Sequence, residues 1–334
     1  MANNNFKPFA AAAGANVMAQ ADYEALAALL TGFQSGTAQS AQLNKVWRQS
    51  SIMAAVLGQF IVDLTGQDAV DDGTTATLLA NLKMAVQAQS AAVVGQARNL
   101  SMSVTTAAST ATLNADEIVV GTALGGQKYL LKQFSKTINL ATTGAGGMDT
   151  GSAPVSGFVG IYAIYNPTTG ASALLATNAT AAKVPEVYAG GQMPSGYTAS
   201  ALVSVWPTNG SSQFMIGTQI DRRISFVGIN ALSGNANIGS LTSLSIASIV
   251  PKNAKSIRGW IGISSAGVST ALAISVASSS SAIGLIYTQG NNTQTVNASF
   301  GDIDISTPQT IYYSNQCTGS TISSQSIQIA GYSF

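Results

Sequence analysis

Leu43, Val46, Trp47, Ala54, Leu57, Ile61 and Leu64 fall at the spacing of a single helical face. Ser40 stands where such a helix is capped, and Gly66 where one commonly ends. Asp71-Asp72-Gly73-Thr74 breaks the pattern, and Asp72 or Thr74 can cap the helix that follows. There Leu79, Leu82, Val86, Gln89, Val93, Gln96 and Leu100 alternate steps of three and four, a heptad seam with two glutamines in it. The seam suits either an amphipathic helix packed on its own domain or parallel self-association. Upstream, Tyr23, Leu26, Leu30 and Phe33 predict a first helix over Asp22–Phe33, with Asp22 as its cap and Gly36 past its end. Residues 20–98 therefore read as helical. Residues 1–19, with Asn3-Asn4-Asn5 and an alanine tract, read as a flexible arm.

At Leu100 the period changes from that of a helix to that of a strand. From Ser101 on, β-branched residues alternate with small polar ones between turn signals such as Asn166-Pro167-Thr168-Thr169-Gly170. Residues 99–226 read as an antiparallel β-domain. Residues 227–334 carry cleaner alternation: Ile257, Ile261 and Ile263 against Arg258 and Trp260, then Leu272, Ile274 and Val276 against Ala and Ser. Gln289-Gly290-Asn291-Asn292-Thr293 forms a hairpin tip. About eight short strands in that block predict a β-sandwich of jelly-roll type. The fold class is thus α+β, mainly β, with an N-terminal helical, coiled-coil segment.

Composition narrows the chemistry. Charged residues make up only 8% of the 334, about a third of the usual share, so copies of this surface repel one another weakly. A net charge of +1 gives no electrostatic case for nucleic acid or anionic lipid. Histidine is absent, which removes Ser-His-Asp and Cys-His catalysis and every histidine metal site. Cys317 is the lone cysteine, so packing rather than an internal disulfide must hold the fold. No cofactor motif is present, since Gly144-Ala145-Gly146-Gly147 lacks the lysine and the strand-to-helix setting of a phosphate loop. Ile52–Leu64 is too short for a membrane span, which needs about 20 residues. Lys7, the alanine run and Ala19-Gln20-Ala21 have only the outline of a signal peptide.

Two long stretches carry a family resemblance. KVWRQSSIMAAVLGQFIVDLTGQD, followed by DDGTTATLLANLKMAV, resembles the N-terminal region of tail fibre proteins of tailed bacteriophages and related prophage-encoded particles. GQKYLLKQFSKTINLATTGAGGMDTGSAPVSGFVGIYAIYNPTTGASALLATNAT and MPSGYTASALVSVWPTNGSSQFMIG resemble the middle domain of the same fibres. The likeness spans Phe6 to Phe226, about two thirds of the chain, and the last hundred residues match only in style. It implies a homotrimeric, non-enzymatic fibre of the virion tail, assembled in the bacterial cytoplasm. The N-terminal region would join the tail or baseplate proteins, and the C-terminal domain would bind a surface receptor. A glycan of lipopolysaccharide or capsule is the expected receptor. A structural baseplate component without receptor contact is the competing class. A capsule depolymerase is a further one, although the long β-helix and clustered acids it calls for are not visible.

Candidate residues follow. Phe6 and Phe9 flank Pro8, and either dock on the tail or pack on their own helices. Trp260, Tyr287 and Tyr312 offer flat apolar faces beside the amides of Asn291 and Asn292, the chemistry that holds sugars, or else pack between identical chains. Asp302 and Asp304 share one strand face, where they suit a cation or sugar hydroxyls. Their simpler role is to keep a strand edge from pairing.

Overall fold

The computed structural model describes residues 2–36, 39–88 and 92–334. The chain divides into two compact units, Met1–Ala91 and Ala92–Phe334.

The first unit is built on helices. α1 (Gln20–Glu24) and α2 (Ala28–Thr31) are short, α3 (Ser40–Thr65) is long, and α4 (Ala76–Ala88) folds back on it. The single helix expected over Asp22–Phe33 is therefore broken. Leu30 is 93% exposed, and a short helix with no buried face lacks the packing that sustains it. α3 ends at Gly66, whose φ of +66° lets its N–H reach the Val62 carbonyl. Ile61, Ala69 and Ala85 form a small core, with Phe6, Leu78 and Leu82 packed around it. Residues 3–9, expected to be a flexible arm, are tied to this unit. The Asn4 amide donates to the Ala55 carbonyl at 2.8 Å, and the Phe9 N–H donates to Ser51 Oγ at 2.8 Å. Phe9 also meets Trp47 edge-on at 5.8 Å.

The heptad seam is helical only in part. Leu79, Leu82 and Val86 lie on α4, but among its described side chains the buried ones are Asn81 and Ala85, and Val86 is 60% exposed. Gln89 lies outside the described residues. Val93 is in irregular chain, Gly95 turns at φ +85°, and Gln96 leads into β1 (Ala97–Arg98). Leu100, the last seam position, is buried in the core of the second unit. The reason is strand pairing: Ala97 and Arg98 register with Ile118 and Glu117, and that pairing outweighs the helical period there.

The second unit is all antiparallel β. β2 (Ser101–Val104), β3 (Thr110–Gly121), β4 (Lys128–Asn139), β5 (Phe158–Tyr165), β6 (Ser172–Asn178), β7 (Ala199–Pro207) and β8 (Gly217–Ile220) come first. β9 (Arg223–Gly234), β10 (Thr242–Ser245), β11 (Ser256–Ser269) and β12 (Ala271–Ala277) follow. β13 (Ile286–Gly290), β14 (Thr293–Asp304), β15 (Thr310–Thr318) and β16 (Ile322–Ser333) complete the chain. One sheet runs β14-β11-β16-β9-β8-β2-β3-β7-β5-β6, with β1 and β4 also on β3; a second runs β10-β15-β12-β13. The boundary expected between residues 226 and 227 falls inside β9, so the large sheet passes through it without a break. β7 is buried along its whole length, so its sequence ASALVSVWP is apolar in both phases apart from the small residues Ser200 and Ser204. Trp206 on that strand donates its indole N–H to the Met215 carbonyl at 3.0 Å and packs edge-on against Phe214.

In the C-terminal half the two sheets lie face to face. Ile257, Ile261 and Ile263 of β11 share a core with Leu272, Ile274 and Val276 of β12. The alternation in the sequence is the imprint of that core, because residues two apart point to one side of a strand.

Arg222 grips Glu186 with both guanidinium nitrogens and lies over the Phe334 ring at 5.4 Å. The hydrogen bonds from Arg222 hold the Glu186 carboxyl below its ordinary value. A depressed carboxyl contributes stability above its unfolded value, about 4.3, and loses it as pH falls through the folded value. Thermal melts of Glu186→Gln should therefore fall below wild type at pH 7, and the gap should close as pH drops below about 4. A gap independent of pH would assign the loss to packing.

Candidate functional site

The outer face of the four-stranded sheet is built by register. Ile311 and Tyr313 of β15 point into the core, so Tyr312, Ser314 and Gln316 point out. Their partners on β12 are Ala277, Ser275 and Ala273. On the far side of β12, Ser275 faces Tyr287 and Ala273 faces Gln289. Paired antiparallel residues share a face. Small residues on the central strand thus form a floor, and Tyr287, Gln289, Ser314 and Gln316 rise beside it. A hollow of about 80 Å³ lies between Tyr287, Ser314 and Gln316 and also touches Gly239, while Gln289 stands outside it.

The floor is held still. Ser275 and Ser314 share a hydroxyl hydrogen bond of 2.7 Å, and Tyr287 donates its hydroxyl to Gln289 Oε1. Tyr287 is 51% exposed, and Ile283 and Leu285 beside it in sequence are exposed as well. This gives a flat aromatic face, apolar neighbours and fixed amides, beside a depression of two to three water volumes. Such a hollow has room for a substituent the size of a hydroxymethyl or acetyl group, and Tyr287 offers a flat face beside it.

The other expected residues are scattered. Trp260 is 38% exposed on the outer face of the large sheet, with its ring over Gly228 of β9. That is the opposite side of the two-layer stack from Tyr287 and Tyr312. Asp302 lies on that same far side, where its carboxylate accepts from Arg223 Nη2 at 3.4 Å and Ser256 Oγ at 3.3 Å. Asp304 is exposed near the end of β14 and opposite Ser256. Asn291 and Asn292 form an exposed turn, Asn292 at φ +50°, but not the expected hairpin tip: β13 pairs with β12 and β14 with β11, so the turn carries the chain from one sheet to the other. The turn begins four residues along from Tyr287, about 13 Å away on an extended strand. The expected set is thus divided between two faces and a turn. Ser275, Gln289, Ser314 and Gln316 are the residues the sequence reading missed. The one signal for them was small polar residues in the outward phase of otherwise apolar strands.

No protein family, curated protein or solved structure matches this chain.

Proposed function

We propose that this protein is a tail fibre subunit that fixes a phage or phage-derived particle to a bacterial surface glycan. The observation that carries the glycan reading is the outer face of the four-stranded sheet, with its small-residue floor, Tyr287 and the amides of Gln289 and Gln316. The two stretches that resemble tail fibres supply the particle, the attachment of the N-terminal region to the tail, and the trimer. Met53, Val56 and Leu57 on α3 and Leu79 and Val86 on α4 are exposed apolar residues that sister chains would cover. Ile216, Ile220 and Val227 on the outer face of the large sheet are a second such set. The low charge of the chain removes the repulsion that would oppose this packing. Three tips per fibre raise avidity, so a shallow site of weak intrinsic affinity is adequate.

Titration of the full chain against immobilised bacterial envelope polysaccharides tests the site. Tyr287→Ala and Gln316→Ala should each weaken binding about tenfold, the loss of roughly 1.4 kcal/mol per contact. Wild-type binding by both variants would move recognition off this face. Light scattering on the same sample should give three times the 33.9 kDa chain mass, and a single-chain mass would overturn the trimer.

A further inference from the structure

A second polar groove lies on the outer side of β1, β3 and β4, far from the residues around Tyr287 in both sequence and strand order. Along β3 the burial alternates up to Ala115, then the alternation breaks: Asp116 and Glu117 are both exposed, and Ile118 to Gly121 are all buried. On β4 Lys132 and Gln133 are likewise both exposed. The two breaks coincide because Glu117 pairs with Lys132, and Arg98 of β1 stands opposite Glu117 on the other side. Gln133 takes φ +48° and the neighbouring Asn99 φ +53°, a left-handed backbone that costs a non-glycine residue about 1–2 kcal/mol. Backbone strain of this kind collects at functional sites.

The break brings Arg98, Asp116, Glu117, Lys132 and Gln133 around a hollow of about 560 Å³. An adjoining hollow of about 290 Å³ shares Arg98 and Glu117 and is walled by Val119 and Leu130. The chain has only fourteen basic and thirteen acidic residues, and two of each line this one groove. No two of them close to within the 4.0 Å of an ion pair. Among the described residues the ion pairs are Arg222–Glu186 and Arg223–Asp302, neither of them here. Asp116 accepts one hydrogen bond, from the Asn99 amide at 2.6 Å.

We infer that this groove binds a small zwitterion, a molecule or head group that carries an ammonium and an anionic oxygen group a few bonds apart. The ammonium is recognised by Asp116 and Glu117 and the anionic oxygens by Arg98 or Lys132, while the rest of the ligand lies over Leu130 and Val119. A simple anion meets two carboxylates in the groove and a simple cation meets two basic groups, so neither half is held well alone. The site is open to water, where each ion pair is weak, so affinity for a free head group is millimolar or slightly better.

The test is calorimetric titration of the full chain at low salt with O-phosphoethanolamine, inorganic phosphate and ethanolamine. O-phosphoethanolamine should bind saturably, and the other two at least tenfold more weakly. Glu117→Gln and Lys132→Gln should each weaken binding about tenfold with unchanged melting curves. Co-sedimentation with phosphatidylethanolamine vesicles then separates a lipid head group from a soluble or glycan-borne source, and either outcome keeps the zwitterion. Absence of saturable binding, equal binding of phosphate alone, or wild-type titrations from both variants overturns the proposal.

Discussion

Gly259→Ala is expected to lower the melting temperature of the protein by roughly 6–12 °C, the effect of a loss of about 3 kcal/mol in a unit of this size. Gly259 sits on β11 where the register slips against both neighbours, between Arg258 and Gly259 toward β16 and between Ile257 and Gly259 toward β14. A methyl group there would land on the backbone carbonyl oxygen of Gln328 and lie 3.0 Å from the Ile329 Cα. Both are main-chain atoms of a paired strand, so no rotamer change relieves the clash, and β11 and β16 must part. Their pairing closes the large sheet beside the core of Ile257, Ile261, Ile327 and Ile329. Gly301 provides the control. It lies on β14 near the same irregularity, but nothing stands within 4 Å of where its Cβ would be. Gly301→Ala should stay within about 0.5 kcal/mol of wild type. Equal melts for the two variants would show that the close β11–β16 approach is not what holds this region together.

Asn315→Ala should cost about 2–3 kcal/mol, because Asn315 and Gln325 form the polar tie between the two layers. Asn315 is on β15 of the small sheet and Gln325 on β16 of the large one, and both are buried. Asn315 Oδ1 accepts the Ile238 N–H at 2.8 Å, and its amide nitrogen donates to the Ala236 carbonyl at 3.1 Å and to Gln325 Oε1. Gln325 Nε2 donates to the same Ala236 carbonyl at 3.0 Å. Truncation at 315 leaves the Gln325 amide oxygen without its donor inside the core, and an unpaired buried acceptor carries its full desolvation penalty. Coupling follows from this. The double variant Asn315→Ala/Gln325→Ala should lose less than the sum of the two singles, since each single strands a partner that the double removes. Additive losses in denaturant melts would mean that the two amides act separately.

The sequence disclosed those features whose cause is local. Gly66 ended α3 because a left-handed residue closes a helix wherever it occurs, and the isoleucines of β11 alternated because one face of that strand is buried. The seam from Leu79 to Leu100 misled for a related reason. Its spacing persists through Val93 and Gln96, but the chain there is committed to β1 by Ile118 and Glu117, some twenty residues away. Periodicity within a segment carries no trace of such a partner. The candidate site shows the same limit. Trp260 and Tyr287 are alike in chemistry and exposure, yet they stand on opposite faces because β11 and β13 belong to different sheets. Ser275, Ser314 and Gln316 became a candidate site only when register placed them beside Tyr287, and the groove at Arg98 depends on adjacent exposed residues that match across β3 and β4.

Binding of this chain to bacterial envelopes, before and after mild periodate oxidation, bears most directly on the proposed attachment role, with Tyr287→Ala run in parallel. Saturable binding that oxidation abolishes and Tyr287→Ala weakens is the expected result. Binding that survives both the oxidation of surface sugars and the loss of Tyr287 would contradict a glycan-reading face on the four-stranded sheet.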